Sequence, residues 1–241
     1  MHIHVLKNTS ELAQYVAQQM YQHILERSTT RIGFATGETP KETYNCLVNY
    51  VKHAPINLNG VETFNLDEYL DLSPAHPNSY HYYMDQYVFS PLKLSYDQTH
   101  IPRGNTNNST YEAEHYEHLI KEHGPIHLQV LGLGINGHIG FNEPGTEFSS
   151  RTRVVELAPS TRQANSKHFA SNEKVPTHAI TMGLGTIMES EKIFLLVQGA
   201  DKTPALHELL HSSPTECFPA SILHNHLNVH VFTTESTMYE L

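Results

Sequence analysis

The chain has 241 residues, with 15 Lys and Arg against 25 Asp and Glu and a formal net charge of −10. An acidic chain without a basic run is not expected to bind a nucleic-acid backbone. The N-terminus lacks the pattern of an export signal, no apolar run approaches the roughly 18 residues of a membrane span, and Cys46 and Cys217 form no disulfide pattern. We therefore expect a cytoplasmic protein that neither crosses a membrane nor binds nucleic acid.

Strands and helices are predicted to alternate along the whole chain. After a short N-terminal strand, apolar periodicity predicts a helix over 11–27, capped by Ser10. Further strands are predicted at 31–35, 61–66, 126–131, 153–157, 178–182, 192–197 and 227–232. Further helices are predicted near 76–87, 109–123, 160–170, 185–189, 202–211 and 217–224. This alternation predicts one doubly wound α/β domain over residues 1–241, with a mostly parallel, Rossmann-like sheet covered by helices on both faces.

A helix start with free backbone donors is predicted after the strand at 31–35. Thr39 is the expected N-cap, Pro40 occupies the first helical position, and Gly37 permits a tight turn before them. The unpaired backbone N–H groups of such a helix start form a site for an anion. Lys167 and Lys202, each near another predicted helix start, could add positive charge there. We therefore expect an anionic substrate group at this turn.

A glycine-rich motif follows the strand at 126–131. Its sequence, Gly132-Leu-Gly134-Ile-Asn-Gly137, matches the G-x-G-x-x-G dinucleotide fingerprint, and Glu156 lies near the position of a ribose-binding acid. A dinucleotide site needs a full helix directly after the glycines. Because Gly140, Pro144 and Gly145 interrupt any helix there, we interpret the segment as a loop that binds no dinucleotide.

A second motif, His207-Glu-Leu-Leu-His211, matches the H-E-x-x-H signature of zinc proteases. The chain contains 19 histidines, so about 0.1 such matches are expected by chance. No third histidine follows at the expected spacing, and Pro214 ends the helix soon after. We interpret the motif as the solvated face of a short helix.

Three polar residues beside strand ends can handle protons: Asp67, His138 and Glu143. An acid held in a cleft is suited to proton abstraction next to a carbonyl, and a histidine paired with a carboxylate is suited to moving protons to and from an oxygen. Asp67 and Glu68 are adjacent, so on a continuing strand they point to opposite faces and one of them can line a cleft.

At these positions the sequence resembles the glucosamine-6-phosphate deaminase family. The motifs follow the family's order and spacing from about residue 30 to the C-terminus: Ala35-Thr-Gly-Glu-Thr-Pro40, Phe64-Asn-Leu-Asp-Glu-Tyr69, His76-Pro-Asn-Ser-Tyr80, Gly134-Ile-Asn-Gly-His-Ile-Gly-Phe-Asn-Glu-Pro144, Ala164-Asn-Ser166 and Ala179-Ile-Thr-Met-Gly183. The run Gly-His-Ile-Gly-Phe-Asn-Glu-Pro is highly specific, whereas Thr-Gly-x-Thr-Pro also fits related sugar-phosphate enzymes.

The resemblance implies that glucosamine 6-phosphate and water are converted to fructose 6-phosphate and ammonium without a metal or organic cofactor. It assigns His138, oriented by Glu143 and Asn136, to opening of the pyranose ring. It assigns Asp67 to transfer of the C2 proton to C1 through an enolamine. It also implies these phosphate-binding residues: Thr36, Gly37, Glu38, Thr39, Lys167 and Lys202.

Three positions depart from the family's commonest pattern. Asn136 replaces a frequent Asp and carries no charge that would raise the pKa of His138. Lys167 replaces a frequent Arg, so it offers a point charge instead of a bidentate fork. Glu38 occupies a small-residue position, and its carboxylate must point away from a bound phosphate. The chain is also shorter than the hexameric, allosteric members at its C-terminus, which predicts a monomer or small homo-oligomer.

Two alternative functions remain open from the sequence. A 6-phosphogluconolactonase-like hydrolase has a related fold and a similar glycine and histidine segment. The run Phe141-Asn-Glu-Pro144 and the pair of Asp67 and Glu68 favour the deaminase over it. A catalytically silent sugar-phosphate sensor is the other alternative, but a sensor has no need for Asp67, His138 and Glu143 together.

Overall fold

The computed structural model describes residues 1–166, 169 and 173–238. Its strands are β1 (His2–Leu6), β2 (Thr30–Phe34), β3 (Val61–Asn65), β4 (Asp67–Tyr69), β5 (Thr99–His100), β6 (Leu128–Gly132), β7 (Arg153–Glu156), β8 (His178–Thr181), β9 (Ile193–Val197) and β10 (Val229–Thr234). Its α-helices are α1 (Thr9–Leu25), α2 (Glu38–His53), α3 (Tyr80–Met84), α4 (Ser90–Leu92), α5 (Ser109–His123), α6 (Pro159–Ser166), α7 (Leu184–Met188), α8 (Thr203–His211) and α9 (Glu235–Met238). A π-helical turn covers Asp85–Phe89, and 3-10 turns cover Tyr96–Gln98, Ala200–Lys202 and Pro219–Asn225.

Seven of these strands form one parallel sheet in the order β1-β10-β9-β6-β2-β3-β5. Side chains alternate between its faces, as β9 shows: Phe194 packs with the α1 and α2 side of the core, whereas Leu195 packs with the α5, α7 and α8 side. Helices therefore cover both faces, and the predicted doubly wound α/β fold is confirmed. None of the helices in the described ranges is both long and apolar enough to cross a membrane.

A second sheet differs from the sequence prediction. The strands predicted at 153–157 and 178–182 lie outside the parallel sheet. As β7 and β8 they pair antiparallel with each other, and β8 also pairs antiparallel with β4. Leu66 is the single residue between β3 and β4: its N–H still donates to Phe34 of β2, while its carbonyl accepts from Met182 after β8. The chain thus crosses from one sheet to the other at Leu66, which sets Asp67 at the junction.

Several predicted element boundaries are wrong for local reasons. Asn8, and not Ser10, caps α1, since its side chain accepts the N–H of Glu11 at 2.9 Å. The helix predicted over 76–87 starts at Tyr80, after Ser79 caps it, and continues as the π-helical turn. The helix predicted over 217–224 is a 3-10 turn that begins at Pro219.

Candidate active site

The candidate site lies at the carboxyl ends of four neighbouring strands, β9, β6, β2 and β3. The loop after β2 holds Gly37, the strand after β3 begins with Asp67, the loop after β6 holds His138, and the turn after β9 ends with Lys202. Loops at this edge of a parallel sheet form the crevice where α/β proteins bind ligands. The sheet order therefore brings together residues that lie far apart in the sequence.

Asp67 is buried in this crevice, with 6% of its surface exposed. Burial raises the pKa of Asp67 to about 8, with a further contribution from the charge of Glu68. The glycine-rich loop passes directly over it: a Cβ added to Gly140 would lie 3.5 Å from Oδ2 of Asp67. Gly140 also has φ +58°, a conformation that favours glycine. The loop that carries His138 can approach Asp67 because position 140 has no side chain.

Glu68 is also buried, but it points to the start of α3. Its carboxylate accepts the backbone N–H groups of Tyr69, Tyr80 and His81, each at 2.9 Å. Burial raises the pKa of Glu68 to about 7, and these three hydrogen bonds limit the rise. Glu68 therefore organises the backbone around α3, and Asp67 is the acid of the pair that faces the crevice.

His138 and Glu143 are linked through Asn136. Nδ1 of His138 lies 2.7 Å from Oδ1 of Asn136, and Nδ2 of Asn136 donates to Oε2 of Glu143 at 2.7 Å. The direct separation between Nδ1 of His138 and Oε2 of Glu143 is longer, 3.7 Å. Because the Asn136 amide oxygen is an acceptor, it favours a proton on Nδ1 of His138 and leaves Nε2 as the proton acceptor.

The surroundings of His138 lower its pKa. Burial is the largest cause, the carboxylate of Glu143 opposes it, and the ammonium of Lys202 acts in the same direction as burial. His138 is therefore neutral at neutral pH and able to accept a proton. The influence of Lys202 also shows that its charge lies near the crevice.

Thr161 was missed by sequence reasoning. Its hydroxyl, on α6, donates to Oε1 of Glu143 at 2.8 Å. Both oxygens of Glu143 therefore have partners, one from Asn136 and one from Thr161. No local pattern signals this contact, because the two residues are separated by 18 positions in the sequence.

Packing explains the glycines of the G-x-G-x-x-G motif. A Cβ at Gly134 would lie 2.3 Å from the ring of His138, and a Cβ at Gly137 would lie 2.3 Å from the ring of Phe218. No helix occurs between β6 and β7, and Glu156 ends a strand of the small antiparallel sheet. The motif is therefore a loop shaped around His138, as predicted, and no helix follows its glycines before β7.

The helix start predicted after β2 is present as α2, but Thr39 is not its N-cap. Gly37, with φ +108°, occupies the N-cap position of α2 and makes no side-chain capping bond. Thr39 is the second residue of the helix, and its carbonyl accepts from Gln198 at 3.0 Å. Glycine occupies the N-cap position because the backbone reverses there with a positive φ, which glycine adopts without strain. The start of α2, which follows the carboxyl end of β2, consequently has no side-chain cap at Gly37.

The remaining predicted anion ligands differ in placement. Thr36 lies close to the Tyr80 side chain and limits the rise of the Tyr80 pKa that burial causes. Glu38 is largely exposed and extends to Lys41, whose Nζ lies 3.9 Å from its carboxylate. Lys202 lies at the crevice, near Asp201 at 3.8 Å. Lys167 lies outside the described residues.

A cluster of potential metal ligands lies elsewhere. Among the described residues, nitrogen and oxygen atoms close enough to bind one ion belong to Glu62, His100 and His123, outside the crevice. His207 and His211 of the H-E-x-x-H motif stack on α8 with ring centroids 4.3 Å apart, and the helix ends at His211.

Comparison with known proteins identifies relatives over nearly the whole chain. Residues 7–232 match the family described as glucosamine-6-phosphate isomerases/6-phosphogluconolactonase. A glucosamine-6-phosphate deaminase from Geobacillus sp. (strain WCH70) is 47% identical over 96% of this chain and 92% of its own length. The solved structure of a monomeric glucosamine-6-phosphate deaminase is 41% identical, with a TM-score of 0.95 over 98% of both chains.

A more distant solved structure shares the fold alone. The 6-phosphogluconolactonase from Trypanosoma cruzi superposes with a TM-score of 0.81, covering 100% of this chain and 96% of its own, at 18% identity. Of these relatives, the two deaminases are 47% and 41% identical to this chain, whereas the lactonase is 18% identical. By the match over residues 7–232 and the identity to its relatives, this chain belongs to the glucosamine-6-phosphate isomerase and 6-phosphogluconolactonase family.

Proposed function

We propose that the crevice between Asp67 and His138 is where this chain converts glucosamine 6-phosphate and water to fructose 6-phosphate and ammonia. The chain is a glucosamine-6-phosphate deaminase, an enzyme of amino-sugar metabolism, like its relatives of 47% and 41% identity. The placement of a buried acid under a loop that carries a neutral histidine is the observation that supports the assignment of the site.

His138 acts first in the proposed mechanism. Its Nε2 takes the proton of the ring hydroxyl at C1 and returns a proton to the ring oxygen, which opens the pyranose to the aldehyde. The bond from Nδ1 to Asn136 orients the ring, and Glu143 stabilises the positive charge through Asn136 while His138 holds the proton. This pair therefore moves a proton between two oxygens without a metal.

Asp67 then transfers the proton from C2 to C1. With a pKa of about 8 in the free crevice, Asp67 holds a proton at neutral pH. The substrate carries its amino group on C2, next to the proton to be removed, and an ammonium beside a carboxylate lowers the pKa of that carboxylate. Substrate binding thus ionises Asp67 at the position where a base is needed. Protonation at C1 through the enolamine leaves an imine at C2, which water hydrolyses to the ketone and ammonia.

The phosphate binds at the start of α2 in this proposal. The backbone at Thr36, Gly37, Glu38 and Thr39 supplies N–H donors, and the helix dipole favours a negative group there. Lys202 supplies a positive charge from the neighbouring turn. Lys167 is proposed as a second positive group from the family resemblance.

Other properties follow as proposals. The 98% coverage of a monomeric relative supports a monomer, or a small homo-oligomer. Pairing of β1 with β10 joins the two ends of the chain in one sheet, which supports a single domain over residues 1–241. Two free cysteines support a reducing, cytoplasmic location, and the net charge of −10 disfavours nucleic-acid partners. The reaction is proposed to need no cofactor.

Parallel assays on two substrates test the function. In buffer with a chelator, the purified chain should release ammonia from glucosamine 6-phosphate and should not hydrolyse 6-phosphogluconolactone. Lactone hydrolysis without ammonia release would favour the lactonase alternative. Binding of glucosamine 6-phosphate without turnover would favour the sensor. Either result would contradict the proposal.

A further inference from the structure

Two histidines and a glutamate meet at the β5 edge of the parallel sheet. Glu62 lies in β3, His100 ends β5, and His123 is the last residue of α5. Phe64 pairs with His100, so the two project from the same face, and Glu62 shares that face because it lies two positions before Phe64. Helix α5 packs on this face, where the Tyr116 hydroxyl donates to the carbonyl of His100 at 3.0 Å. His123 follows Tyr116 by two helical turns and lies on the same side of α5.

The ligand atoms of these three side chains are already close together. One nitrogen or oxygen from each of Glu62, His100 and His123 lies within 4.8 Å of the others, and Nδ1 of His123 is 2.8 Å from Oε2 of Glu62. Tetrahedral ligands around a zinc ion, with bonds of about 2.0–2.1 Å, lie roughly 3.4 Å apart. Rotations that move these atoms by about 1 Å would therefore complete the geometry.

His100 has bonding capacity that the protein does not use. Its Nε2 is buried and has no hydrogen-bond partner among the residues that the structure describes. A buried polar atom without a partner is costly, so an imidazole with a free nitrogen in this cluster is available for a further bond. Phe64 packs on both imidazoles, with ring centroids 4.6 Å from His100 and 5.7 Å from His123. This apolar contact keeps water from one side of the cluster and strengthens metal coordination.

The donor atoms select the class of ion. Two imidazole nitrogens and one carboxylate oxygen suit Zn²⁺ and similar first-row ions, whereas Mg²⁺ and Ca²⁺ prefer oxygen ligands. We propose that Glu62, His100 and His123 form a zinc-class cation site, with solvent as the remaining ligand.

This site would stabilise the fold without taking part in the reaction. Glu62 lies near the start of β3, while Asp67 follows its end, so the two are separated by about 16 Å of extended chain. β5 is two residues long and pairs with β3 through Thr63 and Phe64. A cation shared by the three side chains would tie this edge strand to β3 and to the C-terminus of α5.

Calorimetric titration of the chelator-treated full chain with ZnCl₂ tests the proposal. We expect one Zn²⁺ per chain to bind at this site and to raise the melting temperature, because a ligand that binds only the folded state stabilises it. Glu62→Gln keeps the size of the side chain and a hydrogen-bonding group for His123, and His100→Asn removes one nitrogen ligand. Each should weaken Zn²⁺ binding by at least about tenfold. Circular dichroism of the metal-free variants checks that they fold, and their ammonia release should equal that of the wild type.

The matched control is the double variant His207→Ala/His211→Ala. These two histidines lie one helical turn apart on α8 with their rings in contact, so they represent adventitious Zn²⁺ binding by a histidine-rich chain. The control should keep the tight Zn²⁺ binding that Glu62→Gln and His100→Asn lose. Absence of Zn²⁺ binding in the wild type would overturn the proposal. Zn²⁺ binding that is lost in the control variant but unchanged in both Glu62→Gln and His100→Asn would also overturn the proposal.

Discussion

Asp67 and Glu68 are consecutive, buried acids of β4, but the two regions that they face differ. Glu68 faces the start of α3 and accepts three backbone N–H groups. Asp67 faces the crevice under Gly140, where burial raises its pKa to about 8. The comparison shows that burial alone does not decide the role of an acid. Hydrogen bonds to fixed backbone donors make Glu68 structural, whereas a desolvated carboxyl beside an open crevice is available for proton transfer.

Catalytic rate should separate the two acids most strongly. Asp67→Asn removes the base, so kcat should fall about a thousandfold while glucosamine 6-phosphate still binds. Glu68→Gln should lower kcat by no more than about tenfold, because Glu68 contacts backbone and affects only positioning. Steady-state ammonia release and calorimetric substrate binding measure both effects. Full activity of Asp67→Asn would show that another group is the base.

Stability should change in the opposite sense for the two variants. Glu68→Gln replaces one acceptor oxygen with an NH₂ group that faces backbone donors, and this should lower the free energy of unfolding by about 1–3 kcal/mol. Asp67 has a higher pKa folded than unfolded, so its stability contribution is complete below about pH 4 and is lost as the pH rises towards 8. Asn does not titrate. The stability gain of Asp67→Asn over the wild type should therefore increase from pH 5 to pH 8.

Thermal unfolding of both variants at pH 5 and pH 8 measures these opposite stability changes and their dependence on pH. The wild type at each pH is the reference, and far-UV circular dichroism confirms that the variants are folded. If Asp67→Asn were less stable than the wild type at pH 8, then Asp67 would have a structural role like that of Glu68. The contrast between the two acids would then fail.

His138 adds a third group to this comparison, because its pKa depends on its hydrogen-bonded neighbours as well as on burial. Asn136→Asp places a carboxylate at the Nδ1 bond of His138 and should raise the pKa of that histidine. Because His138 must be neutral to accept a proton and bound substrate already ionises Asp67, the acid limb of the kcat profile should move to higher pH by about one unit. The control Asn136→Ala breaks the link to Glu143 and should lower kcat/KM by about tenfold without that upward shift. An acid limb that does not move in Asn136→Asp would show that a different group controls it.

Much of this fold was predictable from the sequence because its signals are local. The helix predicted at 109–123 has the bounds of α5, since apolar periodicity and flanking residues fix it. Membership of the small antiparallel sheet was not predictable, because β7 and β8 read as short apolar strands in any sheet. The backbone hydrogen bonds of Leu66 to Phe34 and Met182 depend on contacts between residues that are far apart in the sequence.

The candidate site divides in the same way. The sequence indicated His138 and Glu143 as a proton-handling pair, and the family resemblance added Asn136 as an orienting residue. The bridging position of Asn136 between the other two was not predicted. Thr161 and the Glu62 cluster depend on elements that meet only in the folded chain. Sequence motifs therefore predicted the candidate reacting groups, whereas the contacts that support these groups became visible only in the structure.

Thr161 should give the smallest effect and the finest test of how the loop region works. Thr161→Val keeps the shape of the side chain and removes the hydroxyl that holds Oε1 of Glu143. One lost hydrogen bond at a partly exposed carboxylate costs about 1 kcal/mol, which is roughly a fivefold decrease in kcat/KM. Thr161→Ser keeps the hydroxyl and should retain the wild-type value. A loss in Thr161→Ser without a loss in Thr161→Val would instead indicate that the methyl group matters through packing.

A shift of the acid limb distinguishes positioning from packing. If Thr161 acts through Glu143, the freed carboxylate should couple less well to His138, and the acid limb of Thr161→Val should move slightly to lower pH, because Glu143 raises the pKa of His138. The stability gain of Asp67→Asn depends on desolvation of its own carboxyl and should be the same in the Thr161→Val background. A shifted acid limb in Thr161→Val, together with an unchanged stability gain of Asp67→Asn, would show that the two groups are independent. Hydrogen bonds in the loop would then affect His138, and burial would determine the pKa of Asp67.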